Sequence, residues 1–340
     1  MQTLPKWATL LLSVVPVVFC VSVSASPCLQ NRAAIDIGSG STKIAVAEVD
    51  TCQHQIRKML YQQQLPVSYN DALMHAADNR LPDSIIRQGL STLKQEIKQA
   101  SRFHPVSIEG VATAVFRNAE NGQQIIQLFN QQSSAHIRII SQQQEALLGF
   151  ASARAALNQS GVQKDDILVW DIGGGSMQMT TWDKQHGHPH PVIYQGKLAS
   201  VTLKNYIVSL LKHQPLRPDS SPNPIGNDAG NALKFVEFYA SNDVDASLKR
   251  LIPHRKIIGI GGVHDYSIRQ QFGNKPDSYT LTQLSTLAGQ QVMKRDDELH
   301  GDYRATDVSN LLLVEGYMRA LNIPEVTLVK ASLVQGLLVR

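Results

Sequence analysis

Cysteine, aromatic side chains and blocks of like charge are all scarce in this chain. Three of its 340 residues are Cys, and aromatics make up 6%. So few thiols cannot build a metal centre from cysteine alone, which needs about four ligands. Lys and Arg together number 32 against 28 Asp and Glu, and no run of five or six like charges occurs. Composition therefore gives little support to binding of a nucleic-acid duplex. Also missing are G-x-G-x-x-G, G-K-[ST] and G-x-S-x-G, which removes the dinucleotide fingerprint, the P-loop and the serine-hydrolase elbow. With 43% hydrophobic and 18% charged residues, the chain can bury a core and is neither disordered nor collagen-like.

What is present begins with an export pattern. Lys6 precedes an apolar stretch from Trp7 to Val23, and Val23-Ser24-Ala25 offers the small residues a signal peptidase reads. Residues 1–25 are expected to be a signal peptide and the mature chain to start near Ser26. An uncleaved anchor is the rival reading, opposed by the short apolar stretch and by Pro16 within it. Lipidation is opposed by Phe19 before Cys20 and Pro27 before Cys28. The expected location is outside the cytoplasm, periplasmic in a Gram-negative cell, with no membrane anchor after cleavage.

The two cysteines of the mature chain, Cys28 and Cys52, flank two strand-like runs, 32–38 and 41–49, joined by a Gly-Ser-Gly turn. They are symmetric about Gly40, so an antiparallel hairpin brings them together at its open end. A disulfide is predicted there.

The strongest signal is a duplicated glycine-rich hairpin. Asp36-Ile37-Gly38-Ser39-Gly40-Ser41 follows apolar Ala33-Ala34-Ile35, and Asp171-Ile172-Gly173-Gly174-Gly175-Ser176 follows apolar Ile167-Leu168-Val169-Trp170. Each leads into a second strand-like run. An apolar strand delivers a carboxylate to its exposed end, and the glycines let backbone N–H groups converge into an anion nest. Ser39, Ser41, Thr42 and Ser176 add hydroxyls, and Lys43 adds a cation or faces solvent. A lone copy would be a plain β-turn; two copies point to phosphate bound between two similar lobes. Asp36 and Asp171 would repel that phosphate without an intervening cation, and all-oxygen donors suit Mg²⁺.

Between the hairpins the pattern alternates. Residues 90–100 and 121–131 read as helices, and 108–112 and 137–140 as strands. Ser141 is a candidate N-cap for an amphipathic helix over 146–157. A third glycine cluster, Gly259-Ile260-Gly261-Gly262, ends another apolar run, 215–231 reads as a loop, 281–294, 307–321 and 331–339 read as helices, and 326–329 as a strand. Gln185-His186-Gly187-His188-Pro189-His190 gathers three histidines, more simply a turn than a metal site.

These residues together resemble the actin, hexokinase and sugar-kinase superfamily, and within it the exopolyphosphatase and guanosine pentaphosphate phosphohydrolase family. The likeness rests on the paired Asp hairpins and the later Gly-Gly turn. It extends to Ala112-Thr113-Ala114 with Arg117 and Ala119, to Ile140-Ser141 through Glu145-Ala146, to Gly196 through Val201, and to the tail from Val326 through Gly336-Leu337-Leu338. It implies an α/β protein of two ribonuclease-H-like lobes around a central cleft. The first lobe is placed at 26–150, with a helix near 327–340 packing back onto it, and the second at 151–326.

The resemblance also implies the roles. Glu145 would act as the base on the attacking water and Arg117 would pair with a phosphate oxygen or the leaving group. Asp36 and Asp171 would hold Mg²⁺, while Ser39, Gly40, Ser41, Lys43, Gly173, Gly174, Gly175 and Ser176 would bind phosphate. The expected activity is release of terminal phosphate from polyphosphate or a phosphorylated nucleotide such as guanosine pentaphosphate. The chain departs from the pattern at Gln178, where the family carries a carboxylate, at Gly40, where it carries Asn, and at Gln142–Gln144, where it carries charge. It also lacks, over these 340 residues, the further C-terminal helical domain of the long exopolyphosphatases. A non-catalytic phosphate sensor is the alternative, a kinase would need ATP outside the cell, and a homodimer is a possible assembly.

Overall fold

The computed structural model describes residues 28–157, 162–184, 187–217, 219–301 and 303–340. The expected signal peptide at 1–25 and part of the histidine cluster lie outside the described residues. Two mixed sheets form the frame. The first contains β1 (Leu29–Ile37), β2 (Ser41–Asp50), β3 (Gln55–Pro66), β4 (Ile108–Ala112) and β5 (His136–Ile139) in the order β3-β2-β1-β4-β5. The second contains β6 (Ile167–Ile172), β7 (Met177–Asp183), β8 (His190–Gly196), β9 (Lys256–Ile260), β10 (Ser278–Thr280) and β11 (Glu325–Leu328) in the order β10-β11-β9-β6-β7-β8. In each, an antiparallel meander of three strands continues into two parallel strands. The duplicated motif is thus the visible part of a duplicated lobe: β1-β2 and β6-β7 are the same hairpin built twice.

Burial explains why these strands form. β1 and β6 are each central, so Ala33, Ile35 and Ile37, like Leu168, Trp170 and Ile172, are all buried. Parallel neighbours on one side and antiparallel ones on the other make these near-continuous apolar runs stable in the sheet. By contrast β3, with Gln62, Gln63 and Gln64, is a polar edge strand that apolar patterning does not reveal.

The helix Gln142–Leu157 starts with a reciprocal cap. Ser141 Oγ accepts from the Gln144 N–H at 3.1 Å, and Gln144 Oε1 accepts from the Ser141 N–H at 2.9 Å. One part of this helix serves each lobe. Leu148 packs with Ala34, Ala45 and Leu337, whereas Phe150 and Ala153 pack with Val169 and Ile260. The expected lobe boundary at 150/151 therefore falls inside a helix that both lobes share. The terminal helix, Leu333–Leu338, does return to the first sheet, burying Leu333, Val334, Leu337 and Leu338 against Ala34, Ala47 and Val111. Gly336 permits that approach: a β-carbon there would sit 2.6 Å from Leu148 O and from Ser152 Oγ.

Two expectations need correction. The 215–231 loop ends early, because Gly226–Asp228 forms a 3₁₀ turn leading into the helix Ala229–Asp243. The third glycine run does not end in a simple turn either, since Gly262 leads into the π-helical segment Val263–Ile268. Among the described residues no helix is long and apolar enough to cross a membrane.

The Cys28–Cys52 disulfide is present. The β1-β2 register pairs Leu29 with Asp50, so Cys28 lies opposite Thr51, and Cys52 reaches it from the following turn. The pairing is as expected, with the hairpin centre half a residue before Gly40. Replacing both cysteines by Ser should lower unfolding stability by about 3 kcal/mol. Urea unfolding of oxidised, reduced and Ser-substituted protein checks this, and equal midpoints would show that the bond contributes nothing.

Candidate active site

Each central strand places its aspartate one residue before its end, Asp36 on β1 and Asp171 on β6. The turns that follow close with the same bond: the Gly38 N–H donates to Ser41 O and the Gly173 N–H to Ser176 O, both at 2.9 Å. The two turn tips meet across the cleft. A β-carbon on Gly174 or Gly175 would lie 3.5 Å from the Ser39 side chain. This leaves a cavity of about 410 Å³ lined by Asp36, Ser39, Gly40, Ser41 and Lys43 from one lobe and Asp171 through Ser176 from the other, with Glu145 between them. That volume suits a small ligand.

The duplicated hairpins differ in what faces each aspartate. In register, Lys43 on β2 lies opposite Asp36, and Gln178 on β7 lies opposite Asp171. Lys43 Nζ is 3.5 Å from Asp36 Oδ2. Burial alone would push the Lys43 ammonium down, but the carboxylates of Asp36 and Asp171 outweigh it and hold it above the ordinary lysine value. Burial also raises Asp36, against the lowering effect of Lys43. Gln178, 2% exposed, donates to Ser176 Oγ at 3.2 Å and brings no charge to Asp171. Asp171 is accordingly pushed up to about 6 by burial, opposed by Lys43 and reinforced by Asp36.

Glu145 sits in the first turn of the shared helix, buried and facing the cavity. Burial pushes it up to about 7, although Arg117 lowers it. Arg117 Nη1 donates to Glu145 Oε2 at 2.8 Å and to Ile140 O at 2.9 Å. The guanidinium does not line the cavity, so Arg117 holds the carboxylate that was expected to act beside it. Its expected place on a phosphate oxygen or leaving group is not what these contacts show; they show it on Glu145 and Ile140 O. Arg117, on the helix Ala114–Asn118, reaches the start of the shared helix.

The donors present fit a divalent cation. Asp36 Oδ1 is buried with no hydrogen-bond partner, a costly state that a cation in the cleft would relieve. Asp171 supplies a second, all-oxygen ligand facing the same cavity. The Cys28, Asp50 and Cys52 grouping near the hairpin's open end is no rival, because both thiols are in the disulfide.

Sequence reasoning left several cavity residues unassigned. Thr113, Asn70, Asp71, Lys204, Asp219 and Tyr266 all line it. Only Thr113 lay in a quoted motif; the others come from helices and loops whose local patterns carry no such signal. Gly261, at φ +84°, leans directly over Asp171, and a β-carbon there would lie 2.2 Å from Asp171 Oδ1.

The profile of the Ppx/GppA phosphatase family matches residues 54–190, a stretch that includes Arg117, Glu145 and the second Asp turn. Over that stretch the chain is similar to the Ppx/GppA phosphatases. Solved structures with the same fold include the Aquifex aeolicus member of that family, at TM-score 0.69 and 16% identity over 92% of this chain and 97% of that one. An exopolyphosphatase from Cytophaga hutchinsonii aligns at TM-score 0.70 and 17% identity, over 91% of this chain and 96% of its own. A curated bifunctional 3-dehydroquinate synthase/phosphatase of Fusobacterium nucleatum is 28% identical over 158 residues, 45% of this chain and 23% of its own length. The two lobes are thus of the actin-like type, and the Ppx/GppA match supports a phosphohydrolase.

Gly261→Ala should disturb this cleft twice, by displacing Asp171 and by placing a side chain at positive φ, which costs about 1 kcal/mol or more. Thermal unfolding against Gly262→Ala, where a β-carbon meets nothing within 4 Å, checks it. Equal melting points for the two variants would contradict the contact.

Proposed function

We propose that this protein is an exported, Mg²⁺-dependent phosphohydrolase that releases terminal phosphate from inorganic polyphosphate or a related phosphoanhydride such as guanosine pentaphosphate. The observation that carries the reading is Glu145: a buried carboxylate raised to about 7, clamped by Arg117, in the cavity that both Asp turns face. Near neutral pH such a group can both hold and release a proton, as a general base must. The amides and hydroxyls of Ser39, Gly40, Ser41, Gly174, Gly175 and Ser176 orient the terminal phosphoryl group, and Lys43 offsets its charge. Glu145 takes the proton of the attacking water; the new P–O bond forms as the bridging P–O bond breaks, and the shortened chain leaves with that electron pair. Asp36 and Asp171 are the residues that would hold Mg²⁺, whose contribution is neutralisation of phosphate charge.

A non-catalytic phosphate binder is the second reading, and Gln178 favours it, since an amide opposite Asp171 neither ligates a cation strongly nor serves as a base. Export is supported by the N-terminal pattern and by the Cys28–Cys52 bond. Cell fractionation and the mass of the secreted chain test it.

The activity test is phosphate release with Mg²⁺ from tripolyphosphate, long polyphosphate and guanosine pentaphosphate. Wild type should turn over at least one and Glu145→Gln none, a loss of about 10²-fold or more. No turnover with retained binding would leave the binder. Because Glu145 is protonated below about 7, activity should fall about tenfold per pH unit on the acid side. Arg117 lowers that pKa, so Arg117→Gln should move the acid limb to higher pH. An unmoved limb with a uniformly lower rate would show that Glu145 is not the titrating base.

A further inference from the structure

We propose that Lys204 forms a second anion subsite in the outer cleft, taking one further phosphate of a short phosphoanhydride, while Asp71 and Asp219 turn away longer polyphosphate. The inference rests on the phosphohydrolase reading and narrows its substrate class.

The charge around the cavity is the first observation. Its carboxylates are Asp36, Asp71, Glu145, Asp171 and Asp219, whereas its cations among the described lining residues are Lys43 and Lys204. Lys43 lies in the inner cleft, 3.5 Å from Asp36 Oδ2. A site for a long polyanion needs a series of cations, each neutralising a phosphate and releasing its counterion. Apart from Lys43, the described lining residues include one cation, Lys204, and, beyond Asp36, Glu145 and Asp171, two carboxylates, Asp71 and Asp219.

Lys204 itself is the second observation. It is 4% exposed and lines the cavity, and lysine is almost never so buried unless paired. Its partner is Asp71 Oδ1 at 4.0 Å, across the cleft on the other lobe. That separation is beyond a hydrogen bond, and the Asp71 side chain is 36% exposed. An anion entering the cavity would supply the close acceptor that Asp71 does not.

Position is the third. Lys204 lies on the helix Ser200–Tyr206, which is docked on the second phosphate turn by Ser200 N–H to Gly173 O at 3.3 Å and Val201 N–H to Gly174 O at 2.8 Å. One helical turn, about 5 Å, separates that docking point from Lys204. The ammonium is therefore placed for a phosphate near the terminal one on the same ligand.

The test measures affinities by calorimetry with Mg²⁺ in the Glu145→Gln background, for inorganic phosphate, tripolyphosphate and long-chain polyphosphate. Lys204→Met should weaken tripolyphosphate about tenfold, the loss of one charge-assisted contact, and change inorganic phosphate less than about twofold. Asp71→Asn should tighten tripolyphosphate, a gain that misfolding cannot imitate. With Lys204 present, long polyphosphate should bind no more tightly per chain end than tripolyphosphate. Equal losses for phosphate and tripolyphosphate in Lys204→Met would overturn the subsite. So would weaker tripolyphosphate binding in Asp71→Asn, or tighter binding of long chains with steep salt dependence. If wild type releases no phosphate at all, the hydrolase reading fails, while these affinities still decide the subsite.

Discussion

Three carboxylates, Asp36, Glu145 and Asp171, are drawn out of water into one cleft, and the rest of the site is arranged around their mutual repulsion. Burial raises all three. Each is relieved differently. Asp36 faces Lys43 across the hairpin, Glu145 is held by Arg117 from behind, and Asp171 faces the neutral Gln178. Such a cluster holds charge at a cost that a cation can offset, and it keeps one carboxylate near neutrality for proton transfer. The orphaned Asp36 Oδ1 is the point where protein donors alone leave the cluster unfinished.

The fold supplies this cluster by duplication. Two copies of one hairpin, each carrying Asp near the end of its central strand, come together at their turns, so backbone N–H groups and hydroxyls approach the cleft from both lobes. Duplication also makes the asymmetry legible: Lys43 and Gln178 are equivalent positions with unlike charge. The shared helix Gln142–Leu157 then inserts Glu145 between the lobes while its other faces join both cores. Its N-terminal residue Gln142 donates to Met177 O and Gly196 O of the second lobe, which further fixes Glu145 relative to the second hairpin. A helix anchored this way couples the position of Glu145 to the relative position of the lobes.

Beyond the reaction centre the cleft changes character. Tyr266 follows the Gly261-Gly262 turn on a π-helical segment, and Tyr303 accepts a hydrogen bond from Gln64 across the cleft at 3.3 Å. With Asp71 and Asp219 there as well, the described residues of the outer wall are polar and poor in cations. On the proposed reading, the inner wall would bind a phosphoryl group by geometry and the outer wall would discriminate by charge.

Local pattern was enough for much of this. The Asp-Gly hairpins, the Cys28–Cys52 pairing, β4 at Ile108–Ala112 and the Ser141 start of the shared helix are set by residues close in the chain, so turn chemistry and apolar runs reveal them. The polar edge strand β3 escaped because its exposed glutamines carry no apolar signature. Glu145 and Arg117 were both identifiable from the family resemblance, but which of them faces the cleft was not. Side-chain direction there depends on how the helix Ala114–Asn118 packs beneath the shared helix. The contact of Gly261 with Asp171, the approach of Asp71 to Lys204 and the meeting of Ser39 with Gly174 each join residues from distant segments. Their distances are decided by the packing of two lobes, and that is a property of the tertiary structure alone.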